Sequence, residues 1–150
     1  MTLRIFSLAL LMSGAGLAHA HAEFVSSQPA DGDVLESAPT EITLTFSEAS
    51  EVPFSTVKVY PLGAEVERTE PDAEARRNGL AGQLVSEVLE TQGDDATRAD
   101  TGVSTSEATA ETITLPLKAD LEPGIYVVMW RVLSVDTHET QGFLTFKIAR

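Results

Sequence analysis

Apolar and polar side chains alternate along several short stretches of the chain. Glu41-Ile42-Thr43-Leu44-Thr45-Phe46 is the clearest. Thr56-Val57-Lys58-Val59-Tyr60, Thr112-Ile113-Thr114-Leu115 and the run from Leu144 through Phe146 to Ile148 repeat the pattern. A period of two puts every second side chain on one face and predicts half-buried strands. The run from Ile125 to Leu133 is nearly continuous and β-rich, with Tyr126, Met129 and Trp130 inside it. It predicts a central strand buried on both faces. Pro29-Ala30-Asp31-Gly32, Ser37-Ala38-Pro39, Pro61-Leu62-Gly63 and Glu122-Pro123-Gly124 punctuate these runs as turns. Short strands with such punctuation predict an all-β fold, an antiparallel β-sandwich.

Residues 64–111 break the alternation. They hold twelve acids against four bases. Within them, Ala73 to Glu90 carries Leu80, Leu84 and Val88 at helical spacing, so the insertion has room for a short amphipathic helix. Gly79 and Gly82 count against it. Gln92 to Ala110 is small, polar and acidic, and is expected to be a solvated mobile loop. A cation-collecting or partner-docking segment is the sharper alternative.

The first residues read as a targeting segment. Arg4 precedes an apolar run from Ile5 to Met12, and Ala18-His19-Ala20 has the small-x-small pattern of a signal-peptidase site. The apolar run is too short for a stable bilayer anchor. Residues 1–20 are therefore expected to be a cleaved secretory signal, leaving one domain over 21–150. Gly16-Leu17-Ala18 is a second such pattern, whose product would begin His19-Ala20-His21.

Composition narrows the chemistry. A formal net charge of −13 argues against a nucleic-acid binder, because phosphates need a basic surface, and against docking on an anionic membrane face. With no Cys, thiolate metal sites and a Cys nucleophile are excluded. An exported protein of this composition would hold a metal through nitrogen and oxygen.

Two His survive cleavage, His21 and His138. An N-terminal His21 offers its α-amine and its imidazole, both able to deprotonate near neutral pH. Asp136 and His138 are two apart, so in extended backbone they would project from one face of a strand end. Together these residues supply three nitrogens and one oxygen, a set suited to tetragonal Cu(II). Spacing alone does not bring His21 to His138, and an Asp capping a turn beside a surface His is the simpler reading of the pair.

From His21 onward the chain resembles the CopC-type periplasmic copper-resistance family. The resemblance rests on His21-Ala22-Glu23, Ser26-Ser27-Gln28-Pro29-Ala30-Asp31-Gly32, Phe46-Ser47-Glu48, Phe54-Ser55, Pro123-Gly124-Ile125-Tyr126, Gly142 and Phe146. The most specific stretch is Trp130-Arg131-Val132-Leu133-Ser134-Val135-Asp136-Thr137-His138. The resemblance implies a Greek-key β-sandwich or barrel of about seven strands, cupredoxin- or Ig-like. It also implies a Cu(II) site at His21, Asp136 and His138, with Glu48 orienting the N-terminal amine. It further implies a monomeric periplasmic binding protein rather than an enzyme, with a CopD-type inner-membrane protein as partner.

The chain departs from many relatives in lacking a Met-rich loop. Met129 alone survives cleavage, inside an apolar run, so no Cu(I) site is expected. Two other readings stand beside this one. A histidine-brace copper oxygenase would also use an N-terminal His with a second His, but Asp136 would fill a position that oxygen chemistry needs open. A β-sandwich interaction module would leave both His incidental.

Overall fold

The computed structural model describes residues 22–63 and 72–149. The expected signal segment and His21 lie outside them. Seven strands form two sheets, with one α-helix and one short 3₁₀ turn. The first sheet is β1 (Phe24–Gln28), β3 (Glu41–Glu51) and β5 (Thr109–Pro116), ordered β1-β3-β5. The second is β2 (Val34–Leu35), β4 (Thr56–Pro61), β6 (Gly124–Leu133) and β7 (Glu139–Ile148), ordered β2-β7-β6-β4. Neighbours are antiparallel except β2, which runs parallel to β7. The chain crosses between the sheets at every connection except β6 to β7. This is a Greek-key sandwich, and the two sheets do not close into a barrel.

Each alternating run forms the strand it predicts. Ile42, Leu44 and Phe46 of β3 and Ile113 and Leu115 of β5 face the core, meeting Val57 and Val59 of β4 and Leu144, Phe146 and Ile148 of β7. β1 and β2 were not legible as strands. The sequence Phe-Val-Ser-Ser-Gln has no apolar alternation because β1 is a largely exposed edge, and β2 is only two residues long.

The two-sided burial of β6 has a specific cause. Tyr126, Val128, Trp130 and Val132 enter the core between the sheets. Val127 and Met129 point the other way, under helix α1 (Ala73–Val88). The helix buries Ala81 and packs Leu84, Val85 and Val88, with Leu89 just beyond, against Tyr60, Val127, Met129 and Phe143. The covering stripe thus starts at Ala81 rather than at Leu80. Helix propensity is a weak prior, and packing outweighs the two glycines.

The segment after the helix is largely exposed, as its composition predicts, but it is pinned to the sheet at Ala99 and Asp100. Asp100 is fully buried. One of its oxygens accepts the Val59 amide at 2.7 Å, and the other pairs with the Arg98 guanidinium. The Ala99 amide donates to the Val59 carbonyl at 2.7 Å and the Ala99 carbonyl accepts the Lys118 amide at 2.8 Å. The segment therefore satisfies the open edge of β4, which would otherwise expose unpaired backbone groups. Asp94 acts alongside. It pairs with Lys58 at 2.7 Å, and the Lys58 ammonium also caps the end of α1 through the Val88 carbonyl at 2.9 Å. Burial works against the Asp94 charge, but the Lys58 and Tyr60 hydrogen bonds and the Lys58 charge outweigh it and hold the carboxyl below its usual range. Charge in this stretch is structural because it is paired.

One glycine is fixed by a close approach. Trp130 and Gly142 are cross-strand partners, and a Cβ at Gly142 would lie 2.6 Å from the indole. Trp130 in turn stacks on Phe24 at 4.9 Å and meets Phe46 edge-on at 6.2 Å. Gly142→Ala should displace the ring and cost about 1–3 kcal/mol, as overpacking does, measured by urea unfolding. Asp100→Ala, which removes the buried carboxylate that pairs with Arg98 and accepts the Val59 amide, should cost about 3–5 kcal/mol in the same assay. A wild-type midpoint for either variant would contradict these assignments.

Candidate metal centre

The turn between β6 and β7 carries two of the candidate ligands. Ser134 to His138 is not a strand end. The Ser134 amide donates to the His138 carbonyl at 2.8 Å and the Thr137 amide to the Ser134 carbonyl at 2.9 Å. Thr137 sits in the left-handed region at φ 72°. The extended-backbone argument for Asp136 and His138 is therefore corrected: the tight turn, not strand alternation, brings them together. The His138 Nδ1 lies 2.8 Å from the Asp136 Oδ2.

Buried polar groups hold the turn in place. Ser134 is fully buried at the end of β6. Its hydroxyl contacts Asp136 Oδ1 in a short hydrogen bond, lies 2.9 Å from the His138 carbonyl and accepts the His138 amide at 3.2 Å. Ser134 forms a bridge pair with Ser50, and the Val135 amide donates to the Ala49 carbonyl at 3.2 Å. The end of β3 therefore supports the turn from below. Asp136 is held below its usual carboxylate range chiefly by the Ser134 hydrogen bond. Partial desolvation opposes this, and contacts with His138 add to it.

The start of the described chain reaches the same end of the sandwich. Ala22 is fully buried, and its carbonyl accepts the Thr140 hydroxyl at 2.9 Å, two residues past His138. The Glu23 amide donates to the Ser47 hydroxyl at 3.0 Å, and the Glu23 carbonyl accepts the Ser47 amide at 2.8 Å. His21 itself lies outside the described residues. Glu48 is half-buried on β3, between Ser47, which holds the N-terminal segment, and Ala49, which holds the turn. Its carboxylate makes no hydrogen bond or ion pair with Asp136 or His138.

Among the described residues no three His, Asp or Glu side chains form a metal cluster. Asp136 and His138 supply two donors. In a square-planar site with metal–ligand bonds of about 2.0–2.1 Å, adjacent donors lie about 2.9 Å apart. The observed 2.8 Å between Nδ1 and Oδ2 matches that edge. The contribution of Ser134 was missed, although Ser-x-Asp-x-His is visible in the sequence. Its spacing gives no hint that the hydroxyl points back into the turn.

Comparison with known proteins adds an independent line. The CopC domain model matches residues 24–86 and 81–149. Copper resistance protein C of Pseudomonas syringae pv. tomato is 33% identical over 144 residues, covering 96% of this chain and 91% of that protein. Protein YobA of Escherichia coli K12 is 32% identical over 129 residues, 86% of this chain and 79% of that one. Copper transport protein CutJ of Bacillus subtilis is 26% identical over 131 residues, which span 18% of its length. Among solved structures, PcoC of Escherichia coli, a methionine rich copper resistance protein, is 25% identical with a TM-score of 0.57, over 86% of this chain and 99% of that one.

The acid limb of the unfolding profile should report the turn. A carboxyl depressed in the folded state stabilises the protein above its unfolded pKa of about 3.9, and that contribution disappears as pH falls through the folded value. Metal-free wild type should be more stable than Asp136→Asn at pH 6, and the gap should narrow steadily as pH falls below the unfolded carboxylate value of about 3.9. Thermal unfolding across this range checks it; a gap that does not change with pH would contradict the assignment.

Proposed function

The chain belongs to the CopC domain family, and on that premise we propose that it is a periplasmic protein that binds one Cu(II) for copper resistance, homeostasis or delivery. Copper is its cargo. The amine and imidazole of His21 would supply two nitrogens, Asp136 one oxygen and His138 a third nitrogen. The observation that carries this reading is the convergence at one end of the sandwich. The Asp136–His138 pair, preset at 2.8 Å, lies two residues from Thr140, which clamps the residue bonded to His21. Ala22, next to His21 in the sequence, is held at the end of the sandwich that carries the pair, which supports His21 as a ligand.

The chemistry of the donors supports the oxidation state. Imidazole, amine and carboxylate suit Cu(II), whereas soft thioethers select Cu(I). Met129 is fully buried under α1, where it fills space between helix and sheet. The relatives' names, Copper resistance protein C and Copper transport protein CutJ, support a copper role. The apolar run from Ile5 to Met12 followed by Ala18-His19-Ala20 supports export, and no described helix is long and apolar enough to cross a membrane. Glu48, on the backbone between the two clamped segments, would orient the His21 amine. We assign no enzymatic step, since Asp136 beside His138 occupies a position that a copper oxygenase would leave open. A CopD-type inner-membrane protein would take or supply the metal.

The protein beginning at His21 should take up one equivalent of Cu(II), with a tetragonal electron paramagnetic resonance spectrum showing nitrogen hyperfine structure. His138→Ala should weaken binding more than Asp136→Ala, and Glu48→Gln by about 10–100-fold. Competition titration measures each. Wild-type affinity in both His138→Ala and Asp136→Ala would place the copper elsewhere.

A further inference from the structure

We infer that Ser134 is a positioning residue that sets Asp136 as a one-oxygen ligand beside His138 before any metal arrives. The inference rests on the Cu(II) reading above and extends it to a residue that contacts neither metal nor solvent. Ser134 is 0% exposed and anchored by its bridge to Ser50. Its single hydroxyl proton has two acceptors in reach, Asp136 Oδ1 and the His138 carbonyl. That carbonyl already accepts the Ser134 amide at 2.8 Å, and the carboxylate is the stronger acceptor, so the proton goes to Asp136.

The consequence is a division of labour between the two carboxylate oxygens. Oδ1 is turned inward, toward Ser134 and the His138 amide at 3.3 Å. Oδ2 is left facing His138 Nδ1. With the carboxylate rotation fixed, chelation through both oxygens is unfavourable. Larger, harder cations such as Ca²⁺ gain from bidentate carboxylates and more oxygens, so the arrangement discriminates against them. The hydroxyl also accepts the His138 amide, so one buried group fixes both ligands of the pair. Such outer contacts are worth a factor of roughly 10–100 in metal affinity.

The test compares Ser134→Ala, Ser134→Thr and Ser50→Ala in the protein beginning at His21. Ser50 is the control: it is equally buried at the same bridge, and its hydroxyl has no hydrogen-bond partner among the described residues. Competition titration with CuCl₂ should show Ser134→Ala weakened about 10–100-fold, with Ser134→Thr restored toward wild type and Ser50→Ala unchanged. The copper resonance spectrum of Ser134→Ala should differ from wild type, since the oxygen donor is no longer fixed. In the metal-free protein, the nitrogen shifts of His138 should move toward those of a free imidazole in Ser134→Ala but not in Ser50→Ala. Should Ser134→Ala fail to fold, the unsubstituted protein still decides. The Ser134 hydroxyl proton should appear in its proton spectrum as a slowly exchanging downfield signal, and absence of that signal would overturn the inference. Affinity within twofold of wild type together with an unchanged spectrum in Ser134→Ala would also overturn it while leaving the Cu(II) site intact. A wild type that takes up no Cu(II) would overturn both.

Discussion

β6 is apolar on both faces, and everything else in this fold follows from covering it. One face meets β3 and β5 across the sandwich; the other would lie open to water without α1. That is why an insertion rich in acids nonetheless contains a helix with an apolar stripe, and why its two glycines are tolerated. The helix needs an anchored end, and Lys58 provides it from the neighbouring strand by binding both the last helical carbonyl, that of Val88, and Asp94. A Lys58 buried without Asp94 would be strongly unfavourable, so the acids of this segment are tied to the cover that β6 requires.

The pairing of β6 with β7 also determines where the chemistry sits. Its tight register runs from Gly124–Ile148 to Leu133–Glu139, and the turn that closes it holds Asp136 and His138. Trp130 fills the core just below, over Gly142, and stacks on Phe24 at the start of β1. The aromatic contact and the Ala22–Thr140 hydrogen bond both draw the N-terminal strand onto the end that carries the turn. Core packing and the placement of the turn are thus one constraint: the strand that starts beside the Asp136–His138 turn is the strand that seals the indole.

Much of this could be read from the residues. The alternating runs marked four of the strands, β3, β4, β5 and β7, and the continuous run marked β6 as doubly buried, because side-chain periodicity reports burial directly. β1 escaped because an exposed edge strand needs no apolar face. The tail of the insertion was misread because composition reports how many charges there are, not whether they are paired: Asp100 and Asp94 look like solvated acids until their Arg98 and Lys58 partners are known. At the candidate site, Asp136 and His138 were correctly joined for the wrong reason. Their spacing suggested a strand, while the contact depends on a left-handed Thr137 and a buried Ser134. Glu48 was legible only through the family resemblance; the structure shows it half-buried on β3.

The central claim is that the N-terminal residue and the β6–β7 turn form a single copper site. The most direct measurement is a crystal structure of the protein beginning at His21, loaded with one equivalent of Cu(II). The account predicts copper bonded to the His21 amine and imidazole, one oxygen of Asp136 and one nitrogen of His138. Copper bound in the acidic insertion, or by the N-terminal residues without Asp136 and His138, would contradict it.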